Sequence, residues 1–202
     1  MKEIYSQLEK ALMYYTSGSH YDDLVKAKEE YFALTGKINE DDEDYELRMN
    51  SFNDWFLFQY CSHLNEYLEN EVENPKVKEA FGKVNYSLFE FIGDGLFRKR
   101  VVMDILHNKK ISLVEETPIS SLVKNDLFVG RVLEVNDKGI LLNGLCFLPS
   151  EIRPNLIRHT KKLRKMNEPN QEQRFLINLE AQRSRWARYG HLSPHKFFVF
   201  EN

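Results

Sequence analysis

Cysteine is scarce in this sequence of 202 residues, and long apolar runs are missing. Only Cys61 and Cys146 occur, each inside a short apolar stretch where a thiol commonly behaves as a small buried hydrophobe. Two such cysteines argue against a disulfide framework and a cysteine-based zinc site. No run approaches the roughly 18 apolar residues that span a bilayer, and no signal-peptide pattern is present. We therefore expect a cytoplasmic protein that does not associate with membranes.

Signatures of catalysis and cofactor binding are also missing. The chain has neither a glycine-flanked serine elbow nor a cysteine in a catalytic context. Its six histidines are scattered, and Pro194 splits the closest pair, His191 and His195, which denies them the helical spacing of a metal site. We therefore expect no catalytic residues, no metal and no cofactor.

Two titratable residues, Asp104 and His107, are candidates for acid–base chemistry. An aspartate near the end of a strand commonly caps a turn, and a lone histidine beside Asn108 and Lys109 is commonly exposed. We favour these structural roles for both residues. An enzyme would instead require a pocket in which polar groups converge around Asp104, His107 or Arg131.

Residues 1–82 have the apolar spacing of amphipathic helices. Apolar side chains recur at three and four residues over 2–17 and again over 22–36, which predicts two helices. A third helix is predicted from the acidic run at 41–44 to Tyr60, because carboxylates favour a helix N-terminus. Shorter helices over 63–82 should break at Asn74-Pro75. We predict a helical region over residues 1–82.

Residues 83–150 change to short runs of aromatic and branched residues, which predict strands. The runs span 86–92, 98–106, 110–115, 127–135, 140–142 and 145–148. His107-Asn108-Lys109 separates two of them as a hairpin turn would. Asn143-Gly144 is a further hairpin signal, since both residues tolerate positive φ. We predict a small antiparallel curled sheet or barrel of SH3-like or OB-like size.

Residues 151–202 differ from the rest in charge. They carry 11 Lys and Arg against 5 Asp and Glu, a balance of +6, whereas residues 1–150 carry 17 against 26, a balance of −9. Two helices are predicted, over 151–166 and from Pro169 to Gly190, followed by a final short strand over 196–200. The predicted fold class is therefore α+β, with a basic helical tail packed on the preceding parts.

The basic tail carries the candidate site. Its residues proposed to contact an anionic partner are Arg158, Lys161, Lys162, Arg164, Lys165, Arg183, Arg185, Arg188 and Trp186. Arginine interleaved with aromatic residues is typical of phosphate contact combined with base stacking. Alternatively, the basic face packs on the acidic body or only keeps a helix solvated, and Trp186 belongs to a buried stripe.

Four segments carry a resemblance to a group of poorly characterised bacterial proteins. They are residues 52–58, 86–90, 102–106 and 124–132, beginning with the run that contains Trp55-Phe56. The chain resembles proteins that have a WF-containing helix ahead of a small β module, some of which end in a zinc-binding module of the SEC-C type. This chain lacks that module. The resemblance covers residues 45–150, implies a bacterial cytoplasmic protein, and supplies no catalytic residues.

We expect a non-enzymatic binding or adaptor protein that acts through its β module and basic C-terminal helices, with another protein as its partner. RNA binding is the alternative, and an uncharacterised enzyme is a further one. Self-association by strand addition through Phe197-Phe198 is a third possibility. The sequence leaves the oligomeric state open.

Overall fold

The computed structural model describes residues 2–17, 20–61, 64–94, 100–114 and 122–200, and these form an α+β fold. The helices are α1 (Lys2–Tyr15), α2 (Tyr21–Thr35), α3 (Tyr45–Trp55), α4 (Leu64–Glu71), α5 (Pro75–Gly82), α6 (Arg153–Met166) and α7 (Pro169–Arg188). The strands are β1 (Val84–Asp94), β2 (Arg100–Asp104), β3 (Lys109–Ser112), β4 (Leu127–Val135), β5 (Lys138–Leu141) and β6 (Cys146–Leu148). Residues 63, 98–99 and 115, which belong to predicted elements, lie outside the described residues.

The six strands form one antiparallel sheet that curls into a half-barrel. Its order is β3-β2-β1-β4-β5, and β6 pairs with the other end of β4. A bridge between Leu113 and Gly139 brings the two edges of the sheet together at one point. A Cβ atom on Gly139 would lie only 2.6 Å from Val132 Cγ1 and 2.7 Å from Ile111 Cγ2, so this approach requires glycine. The predicted curled sheet is confirmed.

The turns of the sheet agree with the sequence at one position and differ at another. The turn between β2 and β3 lies where it is predicted, with Asn108 at φ 57°. The β4–β5 hairpin turns at Asn136 and Asp137, both at positive φ, as a type I′ turn requires. The hairpin predicted at Asn143-Gly144 is wrong, because β5 and β6 pair with β4 and not with each other.

Apolar side chains pack into three clusters around the sheet. Phe89 and Phe128 lie inside the curl, and Leu88 and Val129, on the opposite face of the same strands, pack against α6 and α7. This division follows from the alternation of side chains along a strand. Helices α1–α5 pack on a further part of the sheet, which includes Leu133. The basic tail therefore packs on the outer face of the half-barrel.

The third predicted helix ends in a π-helical turn over Phe56–Tyr60. Turns of this kind are rare and frequently occur at functional positions.

The predicted break before α5 is confirmed, because Pro75 occupies its first turn and the Asn74 side chain accepts a hydrogen bond of 3.0 Å from the Lys76 amide.

Residues 197–200 differ from the predicted final strand. A 3-10 turn over Pro194–Lys196 precedes them, and they continue as irregular chain. The Val199 amide donates to Phe197 O at 3.1 Å, and Val199 O accepts a hydrogen bond of 3.2 Å from Gln182 Nε2. Phe198 is only 2% exposed. This segment therefore offers no free strand edge at Val199 for a neighbouring copy.

Candidate anionic-partner groove

A groove runs between α6, α7 and the C-terminal segment 197–200. Two adjoining cavities of about 240 and 680 Å³ form it, and both are lined by His159, Lys162, Val199 and Phe200. We call it the cationic groove. Its side chains of interest are Arg158, His159, Lys162, Arg174, Phe175 and Phe200.

Positive charge reaches the cationic groove from two helices. Arg158 and Lys162 are four residues apart in α6 and therefore share one helix face, and Arg174 comes from α7. Among the residues that the structure describes, no carboxylate lines the groove, and none of these three cations forms an ion pair. The groove therefore concentrates positive charge that has no described counter-charge within the protein.

Three rings form a platform inside the groove. The His159 ring centroid lies 4.9 Å from that of Phe175 and 5.1 Å from that of Phe200, with interplanar angles of 32° and 30°. Phe175 is buried, whereas His159 and Phe200 are half-buried. Burial and the nearby Lys162 ammonium lower the pKa of His159. The neutral form of the ring is therefore favoured.

Only part of the basic set predicted from the sequence belongs to the groove. Arg158, Lys161, Lys162 and Lys165 are all exposed on α6, and Arg158 and Lys162 line the groove. Arg164 instead turns inward, where its Nη1 donates to the carbonyl oxygens of Ile105 at 2.5 Å and Leu106 at 3.1 Å. Arg164 therefore joins α6 to the turn after β2.

The basic residues near the end of α7 lie away from the groove. Arg183 Nε donates to Phe147 O at 3.0 Å, and Arg188 Nη2 donates to Lys37 O at 3.1 Å. Trp186 Nε1 donates to Leu192 O at 3.0 Å, and its ring packs beside the core under α7. Arg185 is exposed. Arg183, Arg188 and Trp186 thus make contacts within the fold and line neither cavity of the groove, and their role as partner contacts stays a prediction.

Sequence reasoning missed Arg174, His159 and Phe200 as groove residues. Two of them have a local signal, because His159 follows Arg158 and Arg174 precedes Phe175. Nothing in the order of residues brings Phe200 back over α6, since this depends on how the C-terminal segment packs.

A second polar site lies under α7, inside the protein, and we call it the buried polar cluster. Arg131 of β4 is fully buried, and its Nε donates to Gln59 Oε1 at 2.8 Å. Its Cζ lies 4.2 Å from the centre of the Tyr86 ring. Tyr86 donates to Glu180 Oε1 at 2.8 Å, and Tyr31 donates to Glu180 Oε2. The π-helical turn thus presents Gln59 to a buried arginine.

The two tyrosines of the buried polar cluster keep their protons. Burial, followed by the Glu180 charge, raises the pKa values of Tyr31 and Tyr86, so both tyrosines stay protonated donors. The cavity that Tyr31 and Glu180 help to line has a volume of about 30 Å³, which is close to that of one water molecule.

Asp54 lies within electrostatic reach of Arg131. Burial raises its pKa to about 7, although the Arg131 charge and the hydrogen bond from the Gly144 amide act in the opposite direction. That hydrogen bond, to Asp54 Oδ2, measures 3.1 Å and joins α3 to the loop before β6.

Asp104 caps the turn after β2, in agreement with the structural role that we favoured. Its Oδ1 accepts hydrogen bonds from Ser87 Oγ at 2.6 Å and from the His107 amide at 2.9 Å. Burial raises the pKa of Asp104, but the hydrogen bonds from His107, Ser87 and Asn85 outweigh it and lower the pKa. The hydrogen bond to Asp104 in turn raises the pKa of His107, whose side chain is 41% exposed.

Asp104 and Arg131 lie on opposite faces of the sheet. Asp104 is bonded by Ser87, whereas Arg131 contacts Tyr86, and consecutive residues of a strand point to opposite faces. The convergence around Asp104, His107 and Arg131 that the enzyme hypothesis requires is therefore absent from the described residues.

Comparison with known proteins identifies a family. A family model described as a family of unknown function, DUF7986, matches residues 1–185, a span that includes Arg158, Lys162 and Arg174 and ends before Phe200. The comparisons with curated proteins and with solved structures found no match. None of the described helices combines the length and apolar character of a membrane span. The resemblance to proteins with SEC-C modules stays a prediction. The family match covers most of the chain, which therefore belongs to the DUF7986 family.

Proposed function

We propose that this chain is a non-enzymatic binding protein that holds an anionic partner in the cationic groove. The observation that carries the proposal is the convergence of Arg158, Lys162 and Arg174 from two helices on a concave surface without a described carboxylate. Three like charges at one place repel one another, and this repulsion is relieved when an anion binds.

The concave shape separates this proposal from the simpler view of a solvated basic helix. A basic face that serves only solubility requires neither a facing helix nor aromatic side chains beside its charges. Here Arg174 of α7 and Lys162 of α6 line the same cavity, together with Phe175 and Phe200. Lys161 and Lys165, which are exposed but line neither cavity, fit the solvated face better.

The β module contributes to the proposed function as a scaffold. Its outer face packs against α6 and α7, and the Arg153–Glu90 ion pair joins the start of α6 to β1 through two contacts of 2.8 Å. This support holds the groove in a fixed shape, which favours binding because little order must be gained. The proposed adaptor is cytoplasmic, and its partner is an acidic protein segment or a nucleic acid.

Binding of anionic polymers tests the proposal. We would label polyglutamate and a single-stranded oligoadenylate RNA, and measure their fluorescence anisotropy with the protein at low and high salt. The wild-type protein should bind one of them, and salt should weaken the complex. The double variant Lys162→Glu/Arg174→Glu should lose more than about tenfold in affinity, because each reversal places a negative charge in the groove.

A matched double variant controls for overall charge. Lys161→Glu/Arg185→Glu changes the same two helices by the same amount outside the groove. Its affinity should stay within a few-fold of wild type. Equal losses in the two double variants, or no binding of either polymer, would contradict the proposal.

A further inference from the structure

We infer that the partner in the cationic groove is single-stranded nucleic acid, with phosphates on the cations of α6 and α7 and a base against the His159–Phe200 ring pair. This inference rests on the proposed function and names the partner of the same groove. The sequence predicts a protein partner, with RNA as the alternative, whereas this inference favours nucleic acid over protein.

The first argument is the pairing of rings with cations. Every base has a π-face that stacks on an aromatic side chain, and every phosphate requires a positive charge. The groove places Phe200 and His159 beside Lys162, so both parts of one nucleotide can be met at the same place. Asn178 and Gln171 also line it, and their amides can donate to and accept from base edges.

The second argument concerns the main chain. A peptide that binds along a groove commonly gains affinity by pairing its backbone with a free strand edge. The walls here are two α-helices, whose backbone groups are bonded within the helix. The remaining wall is the C-terminal segment 197–200, where the amide and the carbonyl of Val199 both form hydrogen bonds within the protein. An acidic peptide would therefore have only its side chains to hold it.

The third argument excludes duplex nucleic acid. The rings lie inside the groove and are at least half-buried, whereas the bases of a duplex are stacked on one another and hidden from such a platform. Unpaired bases can turn outwards and enter. The cations from Arg158 to Lys162 extend for only about 6 Å along α6, at 1.5 Å per residue, which matches a short stretch of single strand.

The experiment measures how oligoadenylate affinity depends on salt and on the ring. With three phosphate contacts, the logarithm of the association constant should fall with the logarithm of salt concentration at a slope of about −2, or about −0.7 per contact. Lys162→Gln should reduce the slope by about 0.7. Phe200→Leu should lower affinity by roughly fivefold or more and leave the slope unchanged, because it removes stacking and no charge.

Two controls separate stacking from packing and charge. Phe200→Tyr keeps a ring and should restore most of the affinity that Phe200→Leu loses, while equal melting temperatures show that both variants are folded. An abasic polymer of the same length carries the phosphates without the bases and should bind more weakly than oligoadenylate.

The outcomes distinguish this inference from the proposed function. Equal binding of the abasic polymer, equal binding of a duplex, or an unchanged affinity in Phe200→Leu would overturn the inference. Polyglutamate binding without oligoadenylate binding would also overturn it and leave the proposed function in place. Absence of binding to both polymers would reject the two together.

Discussion

The two ends of α7 carry charge in two different environments. In the C-terminal half of α7, Glu180 is 5% exposed and accepts hydrogen bonds from two tyrosines beside the buried Arg131. Near its N-terminal half, Arg174 is exposed and lines a groove with no described counter-charge. Burial of a charge is costly unless the charge is paired or hydrogen-bonded, so we expect the tyrosine hydrogen bonds to Glu180 to contribute to stability. Arg174 forms no ion pair with a described residue, and we propose that it is available to a partner.

The largest expected effect comes from breaking the buried polar cluster. Glu180→Ala removes a buried carboxylate and leaves the hydroxyls of Tyr31 and Tyr86 without an acceptor. Each unsatisfied buried hydroxyl costs about 1–3 kcal/mol, so we expect the free energy of unfolding to fall by about 2–5 kcal/mol, measured by denaturant titration. Glu172→Ala, on the same helix, removes only a partly exposed contact of 3.4 Å with His107 and should cost less than about 1 kcal/mol. Equal losses would show that the cluster is not a special unit.

The second largest loss of stability is expected where α3 packs closely against the loop before β6. A Cβ atom on Gly144 would lie 2.5 Å from Asp54 Oδ2 and 2.6 Å from Ser51 Cα. Gly144→Ala should therefore destabilise the protein by roughly 1–3 kcal/mol. A Cβ atom on Gly82 would meet nothing within 4 Å, so Gly82→Ala should be neutral or stabilising by up to about 1 kcal/mol. Thermal unfolding compares the two variants, and a harmless Gly144→Ala would contradict the predicted close contact.

Asp54 should make stability depend on pH in an unusual direction. Its pKa is about 7 in the folded protein, against an ordinary value of 3.8, so the folded state holds the proton more tightly. The stability that this contributes is complete below about pH 4 and is lost as pH rises to 7. Each pKa unit is worth about 1.4 kcal/mol, and we expect a loss on the order of 2 kcal/mol because the residue keeps some solvent contact.

Asp54→Asn tests this dependence. The amide oxygen can still accept the Gly144 hydrogen bond, but the side chain no longer titrates. The variant should have a flatter profile of unfolding free energy between pH 4 and 8, and should equal or exceed wild type at pH 8. A profile as steep as that of wild type would assign the pH dependence to another group.

The smallest expected effect on stability belongs to the cationic groove. Lys162→Glu and Arg174→Glu change exposed side chains that form no ion pair with a described residue. Each should alter the free energy of unfolding by less than about 0.5 kcal/mol, in contrast to the large loss expected for Glu180→Ala. A small increase in the free energy of unfolding would also agree with this prediction, because each substitution relieves repulsion between like charges. A loss above 1 kcal/mol would mean that the groove has a structural role and would weaken the comparison.

Most of the helices and the curled sheet could be predicted from the sequence, because periodicity and turn chemistry are local. The turns at Asn108 and at Asn74-Pro75 are examples. Asn143-Gly144 shows where prediction from a local signal fails. The same local signal that commonly marks a hairpin serves here to let Gly144 approach α3, and that need arises only when two distant segments pack together.

The candidate site could also be predicted only in part from the sequence. The sequence shows the basic character of the tail and predicts that Arg158 and Lys162 share one helix, and both are exposed on α6. It could not separate them from Arg164 and Arg183, which have the same chemistry but bond to backbone carbonyls of other elements. Whether an arginine is free or engaged depends on which acceptors lie within reach after folding.

By itself, the sequence of this DUF7986 member determined which residues are apolar, where helices begin and end, and where positive charge accumulates, since these depend on neighbours along the chain. Only the tertiary structure decided that α6 and α7 enclose a groove with Phe200 at its wall, and that Arg131 meets Gln59 and Tyr86 in the interior. These contacts join residues far apart in sequence, and their geometry is set by how the helices pack on the curled sheet.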